Sequence, residues 1–216
     1  MRRLPSSALL ALAVLCGGPD RGAAQAGLQL TPYLTGHLPL IAYNRLVGAG
    51  NVSMGTFKQT VAPGVGAKLS LWMSKEFAAE ADLNYVTSGT RVDLKTPGAA
   101  SVFEDDGHQL NATGRLVYRP LRSSLLLGIG VGYISRGGDA WRDELVDSAG
   151  KFNRHNFTTV LSAGTLVHLI RGFPLLVAVD GLVYWVDKYE PAENDFNKRS
   201  WMQVDLQAKI GVPIGL

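Results

Sequence analysis

Polar and apolar side chains alternate along the last sixteen residues of the chain, Trp201 to Leu216, so that even-numbered and odd-numbered positions differ in character. The aliphatic side chains share one parity: Val204, Leu206, Ala208, Ile210, Val212, Ile214 and Leu216. The other parity carries Gln203, Asp205, Gln207, Lys209, Gly211 and Pro213. Because successive side chains of a β-strand point to opposite faces, the stretch predicts a strand with one wholly aliphatic face. Such a strand fits a sheet with apolar surroundings on one side and polar surroundings on the other.

Seven more segments alternate in the same way, so the sequence predicts eight strands and an all-β fold. They are Leu28–Leu38, Ala62–Ser74, Phe77–Thr90, His108–Pro120, Ser124–Ser135, Asn156–Ile170 and Pro174–Lys188. In the fifth of these, glycine occupies every second position at Gly128, Gly130 and Gly132, which suits a crowded interior or a close approach of another backbone. The only helical expectation is one or two turns within Ala140–Val146.

The connections between these strands alternate in length. Short turns are expected near Lys75–Glu76, Leu121–Ser123 and Arg171–Phe173. Long, polar or mixed loops are expected at 39–61, 91–107, 136–155 and 189–200. Short turns on one rim and long loops on the other are typical of transmembrane β-barrels. We therefore predict an eight-stranded antiparallel up-and-down transmembrane β-barrel, with both chain ends on the rim of the short turns.

The N-terminal segment has the order of a secretory signal peptide. Arg2 and Arg3 are followed by an apolar run from Ala8 to Cys16 and then by Ala24-Gln25-Ala26, whose two alanines suit signal cleavage after Ala26. The run is too short to span a bilayer, and Leu15 occupies the position where lipoprotein processing at Cys16 would require a small residue. We predict a signal peptide at 1–26 and a single barrel domain at 27–216.

Removal of the signal leaves 18 basic and 17 acidic side chains and no cysteine. This balance gives no reason to expect a nucleic-acid partner. An exported chain without cysteine is also held together without disulfides. We expect the hydrogen bonds of a closed barrel to supply that stability.

The polar parity of the strands is rich in Gly, Ser, Thr, Asn and Gln, with only scattered charges. A soluble, lipocalin-like lipid-binding barrel is the alternative fold, but its outward face would be dense in Lys and Glu. We therefore place the polar parity inside. The charges predicted to lie inside are Lys68, Glu80, Asp82, Arg115, Asp180, Asp205 and Lys209. They are expected to pair and plug a narrow lumen, with a proton or ion path as the alternative.

No catalytic, cofactor-binding or metal-binding residue is predicted, and no cofactor. The four histidines, His37, His108, His155 and His168, have no recognisable serine or carboxylate motif beside them. The acidic run Glu104–Asp106 lacks the spacing of a calcium loop. The aromatic residues at strand ends predict interfacial girdles: Trp72, Trp185, Trp201, Tyr85, Tyr118 and Tyr133. The protein is predicted not to be an enzyme, and a lipid A-modifying activity is the alternative.

The closing strand resembles the C-terminal signal of bacterial outer-membrane β-barrels, in which a polar residue, a glycine and two apolar residues recur in a set order. Lys209, Gly211, Ile214 and Leu216 fit that order. The whole mature chain resembles the small, porin-like barrels of the OmpA and OmpX type. The resemblance implies the outer membrane of a Gram-negative cell envelope, contact with membrane lipids and lipopolysaccharide, and insertion by the barrel-assembly machinery. Members of this group serve as envelope scaffolds, adhesins or surface-protection proteins.

The function predicted from the sequence is a structural or surface-interaction role through the long extracellular loops of a monomer. Two of these loops carry apolar residues suited to contact with an extracellular ligand: Leu46, Val47, Met54 and Phe57 in the first, and Trp141 and Leu145 in the third. The alternative is that these residues extend the barrel or fold back over its mouth.

Overall fold

The computed structural model describes residues 27–40, 43–47, 53–96, 99–120, 123–139, 154–170, 173–192 and 195–216. The predicted signal peptide at 1–26 lies outside these ranges. No helix in the described ranges is long and apolar enough to cross a membrane.

The described chain forms strands in this order: β1 (Leu28–Pro39), β2 (Tyr43–Val47), β3 (Ser53–Gln59), β4 (Ala62–Trp72), β5 (Phe77–Val86), β6 (Thr90–Thr96), β7 (Ala99–Asp105), β8 (Gly107–Tyr118), β9 (Leu125–Gly138), β10 (His155–Ile170), β11 (Phe173–Ala192), β12 (Asp195–Gly211) and β13 (Ile214–Gly215).

The main sheet closes on itself and confirms the predicted barrel of eight antiparallel strands. The strands follow one another in the order β12, β11, β10, β9, β8, β5, β4 and β1, and β1 then pairs with β12 from Tyr33↔Gly211 to Pro39↔Asp205. The short strand β13 adds two further pairs to the start of β1. Closure leaves no free edge, so the backbone polar groups of the wall are satisfied within the wall, as a membrane requires.

The two faces of the wall have the polarity that the alternation predicts. On β5, Asp82 and Asn84 are buried, whereas Leu83 and Tyr85 on the other parity are about half exposed, at 54% and 43%. The same pattern holds on β12, where Gln207 and Lys209 are buried and Ile210 is exposed. An apolar outer surface and a polar interior are the reverse of a soluble ligand-binding barrel.

Two of the four predicted long loops are wrong, because they contain regular strands. Segments 39–61 and 91–107 hold β2, β3, β6 and β7, which form a second antiparallel sheet in the order β2-β3-β6-β7. We call this sheet the rim sheet. We call the end of the barrel with the short turns the short rim and the opposite end the long rim. The rim sheet continues the barrel strands beyond the long rim: β3 ends at Gln59, shortly before β4 begins at Ala62, and one residue separates β7 from β8. The signal was present in the sequence, since Arg91 to Lys95 alternate between charged and aliphatic residues.

The other two long loops are also shorter than predicted. The hairpin of β11 and β12 is paired as far as Ala192↔Asp195, so the loop expected at 189–200 is mostly strand. In the third connection, β9 continues to Gly138, whose φ of 99° ends the strand in a conformation that favours glycine. The predicted helical turn at Ala140–Val146 lies outside the described residues.

Several strand ends differ by a few residues from those predicted. β4 ends at Trp72, because Met73 and Ser74 turn back and both donate backbone hydrogen bonds to the carbonyl of Phe77. β5 ends at Val86, before the short break that separates it from β6. The closing strand is interrupted at Val212–Pro213, where the proline cannot donate to the ladder.

Gly130 and Gly114 form a matched pair for testing how crowded the interior is. A methyl group on Gly130 would lie 2.5 Å from Cβ and 2.7 Å from Cα of Arg115, whereas on Gly114 it would meet no atom within 4 Å. We expect Gly130→Ala to lower the free energy of unfolding by about 1–3 kcal/mol, because backbone must move. Gly114→Ala should leave it unchanged or raise it by up to about 1 kcal/mol. Urea unfolding, followed by the heat-dependent shift in gel mobility, measures the free energy of unfolding of both variants. Equal losses would contradict the inward position assigned to Gly130.

Candidate functional site

The middle of the barrel interior is organised around one guanidinium group. Arg115 on β8 donates from Nε to Oε2 of Glu80 at 2.7 Å, from Nη1 to Oδ2 of Asp180 at 2.7 Å, and from Nη2 to Oδ2 of Asp82 at 3.0 Å. Its side chain is fully buried. The planar fork of arginine presents several donors in fixed directions, so one side chain can hold three carboxylates at once.

Two lysines complete the charge balance of this cluster. Lys209 lies 2.6 Å from both Asp82 and Asp180, and Lys68 lies 3.5 Å from Glu80. The cluster therefore pairs three cations with three carboxylates, and all six residues are less than a tenth exposed. We call these six residues the ion network.

Neutral donors satisfy further carboxylate oxygens of the ion network. Ser70 donates to Oε1 of Glu80 at 2.8 Å, and the Tyr33 hydroxyl donates a short hydrogen bond to Oδ1 of Asp82. The ammonium of Lys209 lies 4.6 Å from the centre of the Tyr33 ring, within the range of a cation–π contact. Buried charges require such dense pairing, because their desolvation is costly.

A layer of buried amides lies next to the ion network on the side of the long rim. Asn84 donates to Gln207 at 2.9 Å, and Gln59 donates to Gln109 at 2.8 Å and to Ser88 at 2.9 Å. Gln109 in turn donates to Asn111 at 2.9 Å. Gln59 belongs to β3, so this hydrogen-bond chain connects the barrel interior to the rim sheet.

Asp205 is the one predicted inward charge that lies outside the ion network. It is fully buried and accepts hydrogen bonds from the Tyr184 hydroxyl at 2.8 Å and from Gln203 at 3.1 Å. Nε2 of His37 lies 3.5 Å from its Oδ2. The structure thus gives His37 a carboxylate neighbour that the sequence did not indicate, because the two residues are far apart in the chain and meet only where β1 pairs with β12.

Arg136 is a buried cation that the sequence prediction missed. It is 3% exposed and donates to Gln109 at 3.0 Å and to Asn156 at 2.6 Å, and its guanidinium lies 4.8 Å from the centre of the Tyr184 ring. The prediction assigned position 136 to a loop. Continuing the inward parity of Gly132 by two more steps would have placed Arg136 inside.

Part of the interior is apolar, which the sequence reading also missed. A buried cluster on β9, β10 and β11 contains Ile134, Val160, Leu182, Tyr184 and Val186. The relevant signal is the stretch Leu175–Val186, in which both parities are largely apolar, as in strands buried on two faces. The lumen therefore has a charged and amide-rich side and an aliphatic side.

The remaining histidines lie away from the ion network. His108 and His155 are exposed on the outer face and stack on Tyr85 and Tyr133, with ring centres 5.8 Å apart in each pair. His168 is exposed near the short rim. Among the residues described, no group of three His, Cys, Asp or Glu side chains could hold a metal ion. Glu104 instead lies on β7 and pairs with Arg91 at 3.3 Å.

The aromatic residues fall into two bands on the outer face. Phe77 and Tyr118 lie at the short rim with ring centres 5.1 Å apart, and Tyr133 contacts Phe157 edge-on at 5.6 Å near the long rim. Trp185 is 57% exposed on the long-rim side. Trp72 differs from the prediction because it lies on the inward parity, where Arg119 stacks over its ring. The side chain of Trp201 lies outside the described part of the structure.

Replacing Lys209 by leucine tests the ion network. Lys209→Leu leaves Asp82 and Asp180 buried with fewer counter-charges, so the free energy of unfolding should fall by about 3–5 kcal/mol. Ala208→Leu on the neighbouring outward position is the matched control, and we expect a change within about 0.5 kcal/mol. Urea unfolding in detergent micelles measures both variants. Similar losses would show that the inward and outward parities are misassigned.

Comparison with protein-family models and with curated proteins finds no match. Among solved structures, the crystal structure of the outer membrane protein OprG from Pseudomonas aeruginosa aligns with a TM-score of 0.55 and 17% identity, over 89% of this chain and 97% of OprG. The solid-state NMR structure of the outer membrane protein AlkL in DMPC lipid bilayers aligns with a TM-score of 0.52 and 12% identity, over 93% of this chain and 95% of AlkL. The chain has the fold of the small outer-membrane β-barrel proteins.

Proposed function

We propose that the protein is an integral outer-membrane barrel whose lumen is closed by the ion network and which acts through the structure above its long rim. The observation that carries this proposal is the balanced set of three cations and three carboxylates in the middle of the interior. Neither enzyme activity nor an open aqueous pore is part of the proposal.

The contacts of the ion network reach across the interior rather than along one strand. Arg115 on β8 contacts Asp180 on β11, and Lys209 on β12 contacts Asp82 on β5. In the order of the barrel wall, two strands separate the members of each pair. Side chains from opposite walls therefore meet in the middle, and a continuous water column would have to break these pairs. Eight-stranded barrels have interiors just wide enough for side chains to fill.

Opening such a path is energetically unfavourable. Removing one partner of a buried, hydrogen-bonded ion pair costs about 3–5 kcal/mol, because the other charge stays in the low-dielectric interior. Arg115 supports three such contacts, so displacing it would leave several carboxylates unsatisfied at once. These costs support a closed ground state.

Single-channel recording on the purified protein in planar bilayers tests closure. We expect no steady conductance from the wild type, and transient openings from Arg115→Ala, because that change removes side-chain volume and the central cation together. Gly114→Ala, on the outer face of the same strand, is the control and should behave as the wild type. Steady, large conductance from the wild type would overturn the closed lumen in favour of a porin.

The rim sheet is the part of the described structure suited to recognition. One backbone hydrogen bond, from Thr60 to the Gly89 carbonyl at 2.9 Å, joins the two breaks at its base, and the Gln59 amide of β3 bonds to Gln109 in the barrel interior. Strand β2 of the rim sheet also lies against β11 of the barrel. Binding residues carried on a rigid scaffold are more precisely placed than those on free loops. The predicted contact residues of the first long loop lie on β2 and β3: Leu46, Val47, Met54 and Phe57. Their side chains lie outside the described part of the structure, and so do Trp141 and Leu145.

Truncating the rim sheet separates its role from that of the barrel. Val92 and Phe103 are cross-strand partners, so residues 93–102 can be replaced by Asn-Gly, which forms a tight hairpin turn. We expect cells that express the full-length protein to be retained on polystyrene and cells that express the truncated protein not to be retained, while the truncated protein keeps its heat-dependent gel shift. The control replaces the short-rim residues 121–122 by Asn-Gly and should adhere normally. Equal adhesion by truncated and full-length proteins would contradict a role of the rim sheet.

The structure around His37 supports the absence of lipid-modifying activity. The His37 side chain is fully buried in the interior next to Asp205, where an acyl chain in the membrane has no access to it. The histidines that do face outward stack on tyrosines. A lipid A deacylation or acyl-transfer assay that is positive, and is lost on changing one histidine, would replace this proposal by an enzymatic function.

A further inference from the structure

A ring of buried polar side chains surrounds the interior on the long-rim side of the ion network. Each member lies next to the following one, and all are less than a tenth exposed. They come from six different strands: His37 (β1), Asp205 (β12), Tyr184 (β11), Arg136 (β9), Gln109 (β8) and Gln59 (β3). We call these six residues the upper ring.

One half of the upper ring contains its charged and titratable groups. Oδ2 of Asp205 lies 3.5 Å from Nε2 of His37 and accepts a hydrogen bond from the Tyr184 hydroxyl at 2.8 Å. The guanidinium of Arg136 lies 4.8 Å from the centre of the Tyr184 ring. Tyr184 therefore stands between the one guanidinium and the one carboxylate of the ring.

The other half of the upper ring consists of amides and leads to the rim sheet. Oε1 of Gln109 accepts hydrogen bonds from Arg136 at 3.0 Å and from Gln59 at 2.8 Å. Gln59 also lies beside the His37 imidazole, which closes the ring. Because Gln59 is the last residue of β3, the rim sheet itself contributes a member of the ring.

Within the part of the chain that the structure describes, the upper ring is neutral only while His37 is neutral. Both oxygens of Asp205 already accept hydrogen bonds, Oδ2 from Tyr184 and Oδ1 from Gln203. The distance of 3.5 Å from His37 to Asp205 is longer than an ordinary hydrogen bond. A protonated His37 would therefore be a second buried cation without a carboxylate of its own, which is costly.

The neighbouring groups offer no further counter-charge to His37. Its cross-strand partners are Gln207 on β12 and Ala62 on β4, and neither is charged. Asp180, the cross-strand partner of Gln207 on β11, is already paired with Lys209 in the ion network. The interior around His37 thus suits the neutral imidazole.

Gln59 lies directly beside a break in the wall. In this break the backbone N–H of Thr60 donates to the Gly89 carbonyl at 2.9 Å, and the N–H of Gly89 donates to the Thr60 hydroxyl at 3.0 Å. We call Thr60 and Gly89 the junction. Since the strands on both sides are interrupted here, opening the junction breaks fewer hydrogen bonds than opening a continuous ladder, and local opening favours such places.

We propose that His37 makes the junction between barrel and rim sheet sensitive to acid. In the closed upper ring an imidazolium is buried without its own counter-charge, whereas in an opened junction water solvates it. The open state therefore binds the proton more strongly, so acidification below about pH 6.5, where a histidine in water takes up its proton, shifts the junction toward opening. This regulatory device goes beyond the proposed function and does not depend on whether the rim sheet binds a partner.

Amide hydrogen exchange at the junction measures its opening. NMR of the protein in detergent micelles gives the protection of the Thr60 and Gly89 amides, corrected for the pH dependence of exchange in an unfolded chain. Between pH 7 and pH 5.5 we expect the opening constant to rise about tenfold, because each pH unit below about 6.5 contributes a factor of up to about ten. The amide of Leu83, in the middle of β5, should keep its protection.

Two histidine variants show which group is responsible. His37→Gln cannot take up a proton, so its opening constant should change less than about twofold over the same pH range. His108→Gln is the matched control, because His108 adjoins Gln109 on β8 but is exposed on the outer face, and it should respond like the wild type. Each variant is first checked for the heat-dependent gel shift; if His37→Gln fails it, His37→Asn takes its place.

Four results would overturn the acid-sensitive junction. They are protection at the junction that does not change with pH, protection that rises on acidification, an unchanged acid response in His37→Gln, and a parallel loss of protection at Leu83, which would indicate unfolding of the whole barrel. The wild type alone gives a further check: titration of the His37 Cε1 signal while the junction stays protected would also overturn it. None of these results bears on the closed lumen, which is measured by conductance.

Discussion

The fold depends on the pairing of charged side chains that are buried inside a membrane-spanning wall. Arg115 is central, because it alone contacts Glu80, Asp82 and Asp180, which come from two different strands on opposite sides of the lumen. With Lys68 and Lys209 the cluster is neutral, so the interior carries no net charge at this level. Any change in strand order or register would separate partners whose pairing compensates a large desolvation cost. The ion network therefore favours the observed register of the strands over alternative registers.

Packing around this cluster explains the glycines of β9. Gly130 lies against the backbone and Cβ of Arg115, and Gly132 against Thr113, so neither position has room for a side chain. The absence of side chains at these β9 positions leaves space for the long side chain of Arg115. On the far side, Ile134, Val160 and Leu182 fill the interior with aliphatic groups that need no partners. The charged side of the lumen is thus packed against an apolar side, which lowers the local dielectric and strengthens the ion pairs.

The rim sheet and the barrel meet where several strands are interrupted together. Thr60 and Gly89 exchange hydrogen bonds at the breaks between β3 and β4 and between β5 and β6. Gln59 at the end of β3 and Ser88 in the second break are buried in the interior and bond to each other and, through Gln59, to Gln109. Rim sheet and barrel interior therefore share one hydrogen-bond chain, which gives the exposed sheet a fixed base.

The sequence by itself determined the class of fold, the number of barrel strands and the two faces of each strand. Alternation is a local property of the backbone, so the outward Leu83 and the inward Asp82 could be assigned without knowing any neighbour. The alternation continued into two segments that were predicted as loops, at Arg136 and at Arg91 to Lys95. The sequence therefore carried a strand signal at these positions that the loop prediction overlooked. Only the tertiary structure decided which inward groups meet. The grouping of Arg115 with Asp180 and of His37 with Asp205 depends on register between strands, and register is set by the closure of the whole barrel rather than by any segment of it.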